Sequence, residues 1–504
     1  MKKILLFVAA IATLSSCNFL NMSDPDAFDE SKFYKTPEDM ESLLASSYEA
    51  FREANKNMFF VTEMKSDNAT TTAGSSSSGM YSSFVNHNVM SSNKIVYDLY
   101  TNLYQTIHRA NLTIQHVNDI KWVDENEKNR IEGEAKFMRA LAHFYLVRLW
   151  GPVTKLDHVV SSSAEAAKAI RDSEEDVYQF IIDDLKSITT NGGMSNVYAP
   201  GSNMYGHASK TAVYALLGRV YLQYAATLNH TEAYKDAITA LKQAEEMGGY
   251  KELTIPFADV FNVEKKQNAE IIFAVQYKAT ESQSSPFAGY FQIKSGQTSM
   301  ASGRGFNIGE PNLHNEFDAQ EAKDGRWDIG IASYVNKKGG TTQYYTKKYT
   351  DKSNMVGYGG NDWYELRFAD VYLMLAEAYE RDGQRDNAIA YLNKVRTRPG
   401  NNLADYNTSL RDAKYAAQYS DLRAAIFHER RLELCFENIR WFDLQRLYPN
   451  HDDLATYMRS IKVVDFAEPT KFSDFKPYEA LLPIPYNETY LNPNLGQNEG
   501  YTSH

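Results

Sequence analysis

Cysteine is nearly absent. Cys17 and Cys435 are the only two among 504 residues, so neither a disulfide framework nor a cysteine-built zinc site can form. Proline is sparse, 14 in all, and no proline-rich linker divides the chain. Basic residues are outnumbered, 53 against 64 acids, for a formal net charge of −11. Proteins that track phosphate backbones are more often basic, which argues against a nucleic-acid partner. Composition that is 43% hydrophobic and 23% charged excludes global disorder. Reaction motifs are missing as well. Gly74 and Gly79 frame a serine run followed by Met80 where a phosphate loop needs Lys, and Gly303-x-Gly305 lacks the third glycine of a dinucleotide fingerprint. His428-Glu429 has no second histidine at zincin spacing, no G-x-S-x-G elbow occurs, and Asp24 and Asp26 begin a calcium-loop spacing that nothing completes. No cofactor and no metal is expected.

What is present begins at the first residue. Lys2 and Lys3 precede an apolar stretch from Ile4 to Leu14. Such a stretch is too short for a spanning helix, which needs about 20 residues, but suits a secretory signal. Leu14-Ser15-Ser16-Cys17 resembles a bacterial lipobox. The expectation is a signal peptide over residues 1–16, acylation (palmitate) of Cys17, and one domain over 17–504 that is anchored by lipid rather than spanning a bilayer. That leaves Cys435 in the apolar stretch Leu432–Phe436, where a buried, inert thiol is expected.

Four segments repeat one spacing, Leu-small-x-x-Tyr: Leu44-Ala45 with Tyr48, Leu141-Ala142 with Tyr145, Leu217-Gly218 with Tyr221, and Leu375-Ala376 with Tyr379. Offsets of 0, 1 and 4 share a helix face. The pattern is that of the first helix of a tetratricopeptide repeat. The partner helices are read at Ile95–Val117, Val177–Leu185, Ala237–Ala244 and Ala388–Val395. The fold class expected is mostly α: about four tetratricopeptide-like helix pairs, with helices around 37–54, 94–118, 130–188, 208–247 and 365–398. They pack against an irregular, loop-rich half around 55–93, 255–365 and 400–504. Strands are expected at Glu270–Tyr277 and Gln343–Tyr349, and Asn68–Ser83, rich in Ser and Thr, reads as an exposed loop.

Two loops combine aromatic rings with hydrogen-bonding side chains. Tyr81, Phe84, Asn86 and His87 lie in the first; Phe287, Tyr290, Phe291, Gln292 and Arg304 lie in the second, with Phe306 close by. Sugar rings have apolar C–H faces and a rim of hydroxyls, so a site for them needs a flat aromatic and nearby amide, imidazole or guanidinium groups. Ligand binding is therefore expected at Tyr81, Phe84, Asn86, His87, Phe287, Tyr290, Phe291 and Arg304. The acids and arginines of Glu429–Arg446 recur at helical spacing and read as a buried ionic network tying helices together.

The chain resembles the SusD/RagB family of nutrient-binding outer-membrane lipoproteins over nearly its whole length. The resemblance rests on the lipobox, Glu63–Asp67, Leu103-Tyr104 with Ile107 and Ala110-Asn111, and Glu132 to Tyr145 ending in Trp150-Gly151. It continues through Arg367–Ala378, Glu429–Leu434, Arg440–Arg446, Leu481–Pro485 and Asn492–Asn498, departing at Asn438, where glycine is common, and at Glu499, where proline is. It implies a cell-surface protein that captures oligosaccharides non-covalently, without catalysis. It further implies delivery of the ligand to a TonB-dependent (SusC-like) outer-membrane transporter. Ligand residues do not transfer by motif, because the loops are the family's variable part. A protein-interaction scaffold, and a glycoside hydrolase using two carboxylates that leave no spacing signal, are the alternatives.

Overall fold

The computed structural model describes residues 34–71, 79–293, 303–319, 322–335, 342–351, 359–461 and 471–502. The signal segment and Cys17 lie outside the described residues. From its N-terminal side the described chain runs through helix α1 (Pro37–Thr62), a short strand β1 (Ala69–Thr70) and helix α2 (Gly79–Val85). It continues through α3 (Lys94–His116), α4 (Glu125–Trp150), α5 (Glu174–Thr189), α6 (Lys210–Thr227) and α7 (Ala233–Gly248). Strand β2 (Ile271–Val275), the single turn α8 (Phe287–Tyr290), β3 (Ile308–Gly309) and α9 (Pro311–Phe317) follow. Then come β4 (Ala332–Val335), β5 (Thr342–Tyr345), β6 (Trp363–Arg367), α10 (Phe368–Arg381) and α11 (Arg385–Arg396). Helices α12 (Leu422–Leu434), α13 (Arg440–Leu447) and α14 (His451–Ser460) lie in the C-terminal part.

The four repeats pair as their spacing predicts: α1 packs on α3, α4 on α5, α6 on α7 and α10 on α11. Leu44, Leu141, Leu217 and Leu375 are all buried. The small residue allows close approach. At Gly218 a Cβ would come within 2.4 Å of Leu241 Cγ on the partner helix. Entry into α1 is fixed by a capping box, Thr36 with Asp39, and by Pro37 in the first turn.

Several boundaries differ from the expectation. Helix α1 continues to Thr62 instead of stopping near 54, because Met58, Phe59, Phe60 and Val61 are all buried and no solvent-facing stripe marks an end. Residues around 365 begin not as helix but as β6, every residue of which is buried and which pairs antiparallel with β2 (Ile271 with Arg367, Val275 with Trp363). The expected strand at Gln343–Tyr349 is shorter and earlier, Thr342–Tyr345, in an antiparallel sheet of order β1-β3-β5-β4. Asn68–Ser83 is not simply an exposed loop: Ala69 and Thr70 are buried in a strand pair, and α2 begins at Gly79. The chain between 400 and 504 holds α12 to α14, more helix than its irregular composition implied. Asn438 adopts φ +62, the left-handed region where Asn is the best substitute for glycine.

Helix α12 is a hub of buried charge. Glu433 receives Arg367 (2.8 Å), Arg398 (2.7 Å) and Arg326 (3.0 Å). Glu429 binds Arg396 at 2.8 Å and Arg326 at 2.7 Å, and Arg430 spans Asp370 and Asp443, each at 2.9 Å. Cys435, fully buried beside them, is a free thiol that burial pushes up to about 11. Burial alone would raise the Glu433 carboxyl, but Arg398, Arg367 and Arg326 hold it well below the usual carboxylate range. Asp67 is depressed in the same way, its burial outweighed by Arg431 and Arg440.

Removing one partner strands the others' charges, so Glu433→Gln is expected to lower the unfolding free energy by about 3–5 kcal/mol in guanidinium denaturation. Unfolded carboxyls titrate near pH 4. The stabilisation from Glu433 and Asp67 is therefore complete above about pH 4 and is lost as pH falls toward their depressed folded-state values. Denaturation midpoints measured from pH 7 down to pH 3 are expected to fall most steeply in the lowest unit.

Candidate functional site: an aromatic platform at the end of the first helix

The C-terminal end of α1 delivers two adjacent rings, Phe59 and Phe60, into the meeting place of both aromatic loops. Phe306 lies beside Phe60, with ring centroids 6.0 Å apart. On this base sit the two half-buried tyrosines. Tyr81 stacks on Phe306 (4.6 Å, 27°) and on Phe60 (5.3 Å, 26°). Tyr290 meets Phe306 edge-on (5.1 Å, 72°) and Phe59 at 5.9 Å. Tyr81 of the first loop and Tyr290 of the second thus share one supporting ring, although 209 positions separate them in sequence.

Local structure explains the placement. In α2, Phe84 and Val85 turn inward while Tyr81, three residues earlier, stays half-buried. Asn93 ties this short helix down: its side-chain amide donates to the Met80 carbonyl and to Ser83 Oγ, each at 3.0 Å, while its oxygen caps α3 through the Ile95 N–H at 2.9 Å. In the second loop, the N–H groups of Arg304, Gly305 and Phe306 donate to the carbonyls of Gly289, Gln292 and Tyr290 at 2.8, 2.8 and 2.9 Å. Thr71 Oγ1 donates to the Gly305 carbonyl at 2.9 Å and so stitches the two loops together. Arg304 is exposed at this turn. Burial raises the Tyr290 hydroxyl above the ordinary tyrosine value, the Tyr81 hydroxyl raises it further, and the Arg304 charge opposes both.

The eight residues singled out in the sequence therefore divide. Tyr81, Tyr290 and Arg304 come together at the surface. Phe84, Phe287 and Phe291 are completely buried; their rings are packing beneath the platform, not a face open to a ligand. Phe287 packs on Trp363 at 4.7 Å, and Phe291 on Tyr349 at 5.2 Å and Phe59 at 5.0 Å. His87 is also buried, in a left-handed turn (φ +51) against Phe472 and Phe475. Burial, with Lys471 and Lys65 nearby, keeps its imidazole well below its ordinary pKa. Asn86 is exposed beyond the end of α2. Phe60 and Phe306 support the site but were not among the eight. Phe306 was visible as one more aromatic of its loop, whereas Phe60 lies inside a helical pattern and nothing local marks it.

Two adjoining cavities of about 170 and 250 Å³ flank Tyr205–His207, next to Tyr48, Arg52 and Phe273. The larger lies beside the middle of α1, and both are lined in part by β2. Among the described residues no group of three His, Cys, Asp or Glu side chains is arranged to hold a metal ion, and no helix is long and apolar enough to cross a membrane.

Known proteins resemble the chain throughout. A sequence profile described as the SusD family matches residues 330–501, and one described as "Starch-binding associating with outer membrane" matches residues 18–222. SusD-like protein P2 of Formosa agariphila is 25% identical over 529 residues, covering 98% of this chain and 99% of its own. A SusD-like protein of Bacteroides ovatus is 25% identical over 476 residues, covering 88% and 82%. The fold matches a laminarin-binding SusD-like protein (TM-score 0.72, 23% identity, 93% and 100% covered) and B. fragilis NanU (TM-score 0.73, 23% identity, 95% and 100% covered).

The division of the rings is testable by stability alone. Phe84→Ala and Phe291→Ala are each expected to cost about 3–5 kcal/mol of unfolding free energy, whereas Tyr81→Ala costs about 1 kcal/mol or less because its ring is only partly removed from water. Chemical denaturation of the three variants measures the contrast.

Proposed function

Because the chain belongs to the SusD/RagB family, we propose that it is a glycan-binding outer-membrane protein that captures oligosaccharides on the Tyr81–Tyr290 platform without cleaving them. The observation that carries this reading is the pair of half-buried tyrosines on the shared Phe306 ring. Their rings offer apolar surface to sugar C–H faces. Their hydroxyls and Arg304 offer hydrogen bonds to the sugar rim. The arrangement is held before any ligand arrives, which limits the ordering cost of binding. The laminarin-binding structural relative and the starch-binding profile support a saccharide as the ligand class.

The same reading gives the chain a place at the membrane. Cys17 carries the lipid anchor, and the captured oligosaccharide passes to a TonB-dependent, SusC-like transporter. Cys17→Ser is expected to move the protein from the membrane fraction to the soluble fraction and to abolish labelling by radioactive palmitate. Affinity purification from detergent-solubilised membranes is expected to recover a large β-barrel partner; repeated recovery of the chain alone would count against the transporter role.

Binding is tested by calorimetric titration against plant, microbial and host glycans. For any glycan that binds, Tyr81→Ala and Tyr290→Ala are each expected to weaken affinity about fivefold to tenfold, near 1 kcal/mol or slightly more. The glycan is expected to remain full length after prolonged incubation. Unchanged affinity in both variants would remove the platform as the binding site.

A further inference from the structure

Arg304 stands exposed at the edge of the platform. Among the described residues its guanidinium forms no hydrogen bond and no ion pair. Its backbone, in contrast, is fixed. Gly303 sits so close to the chain at Ile293 that a Cβ would lie 2.2 Å from that carbonyl, and Gly305 adopts φ +64. These two glycines let the turn press against α8 and make the three backbone hydrogen bonds described above. The fold thus holds a solvated positive charge in a set place beside Tyr290.

The surroundings reinforce it. Residues 69–93 and 286–309, the two segments that supply Tyr81, Tyr290 and Arg304, contain no acidic residue at all, in a chain with 64 acids among 504 residues. At that frequency the two segments together would hold about six. The carboxylates bordering them are already engaged: Asp67 with Arg440 and Arg431, and Glu310 with Lys471. In a protein of net charge −11, segments that themselves carry no carboxylate are where an anion approaches with less repulsion.

We propose that this site selects acidic saccharides, with a ligand carboxylate or sulfate group paired to Arg304 while a sugar face lies on Tyr81 and Tyr290. The proposal rests on the glycan-binding reading above and narrows its ligand class. Guanidinium forks match both oxyanions bidentately, so the shared feature is an anionic oxygen pair on a sugar ring.

Matched ligand pairs provide the test. Tetragalacturonic acid is compared with its methyl ester, and a sulfated galactan tetrasaccharide with its desulfated form, by calorimetry at about 20 mM and about 300 mM NaCl, salt levels that bracket the screening range. At low salt at least one charged member is expected to bind about tenfold or more tighter than its neutral counterpart. The advantage should shrink at high salt. Arg304→Gln should abolish the difference in affinity between the charged and the neutral member of each pair, and Arg304→Lys should keep part of that difference. The pair that responds distinguishes carboxylate from sulfate. Equal affinity within both pairs, or an advantage that survives in Arg304→Gln, overturns the selectivity and leaves the glycan-binding reading standing. If charged and neutral glycans alike fail to bind, the underlying reading falls together with its refinement.

Discussion

Arg431 is the contact through which the aromatic platform depends on the scaffold. Its guanidinium donates to Asn68 Oδ1 at 2.9 Å and to the Asp67 carbonyl at 2.9 Å, and it pairs with Glu316 at 3.0 Å. Asp67 is also held by Arg440 at 2.7 Å. From this clamp the chain enters β1, which pairs with β3, and the Asn68 carbonyl accepts from Glu310 N–H at 2.9 Å. Directly before β3 lie Arg304 and Phe306. A buried charge cluster on α12 and α13 thus sets the register between the two loops that meet at the platform. Such networks are weak as sources of net stability, because desolvation offsets much of the attraction. Their value here is geometric: planar guanidinium groups pair with carboxylates only along a few fixed directions.

The remaining charges of α12 serve the same end over longer distances. Glu433 gathers Arg326, Arg367 and Arg398 from three separate stretches of chain, and Arg430 joins α10 to α13 through Asp370 and Asp443. Arg219 brings α6 into the network through Asp370 at 2.7 Å and Glu365 at 3.0 Å. The helix pairs and the irregular half are therefore joined by ionic contacts as well as by apolar packing. The platform loops can thus differ in sequence while the frame that carries them stays fixed, as is general for loops positioned by a rigid scaffold.

The platform itself shows how little separates a core ring from a surface ring. Phe60 and Phe306 are buried, Tyr81 and Tyr290 lie one layer further out, and Phe306 meets the other three. The outer pair carries hydroxyls, which keep hydrogen bonding available where solvent reaches them. The inner rings are phenylalanine, with no polar atom to satisfy.

Helix pairing was legible because it is local. The Leu-small-x-x-Tyr spacing fixes which face of each helix is apolar, and partners close in sequence leave few alternatives. The ionic network was legible for the same reason, its charges recurring at helical offsets over Glu429–Arg446, although the stretch folds as two helices, α12 and α13, rather than one. The two aromatic loops were also recognisable from composition, and Tyr81, Tyr290 and Arg304 were among the residues they offered. Local patterning therefore laid down the helical frame, its internal pairing and the pool of rings and polar groups from which a site is drawn. Which rings face solvent was set by long-range packing. Burial of Phe84, Phe287, Phe291 and His87, the extension of α1 to Phe60, and the pairing of β6 with β2 all arise from contacts between distant segments. Periodicity within a segment carries no information about what another segment will cover, so exposure, and the site with it, emerges only when the loops are packed together.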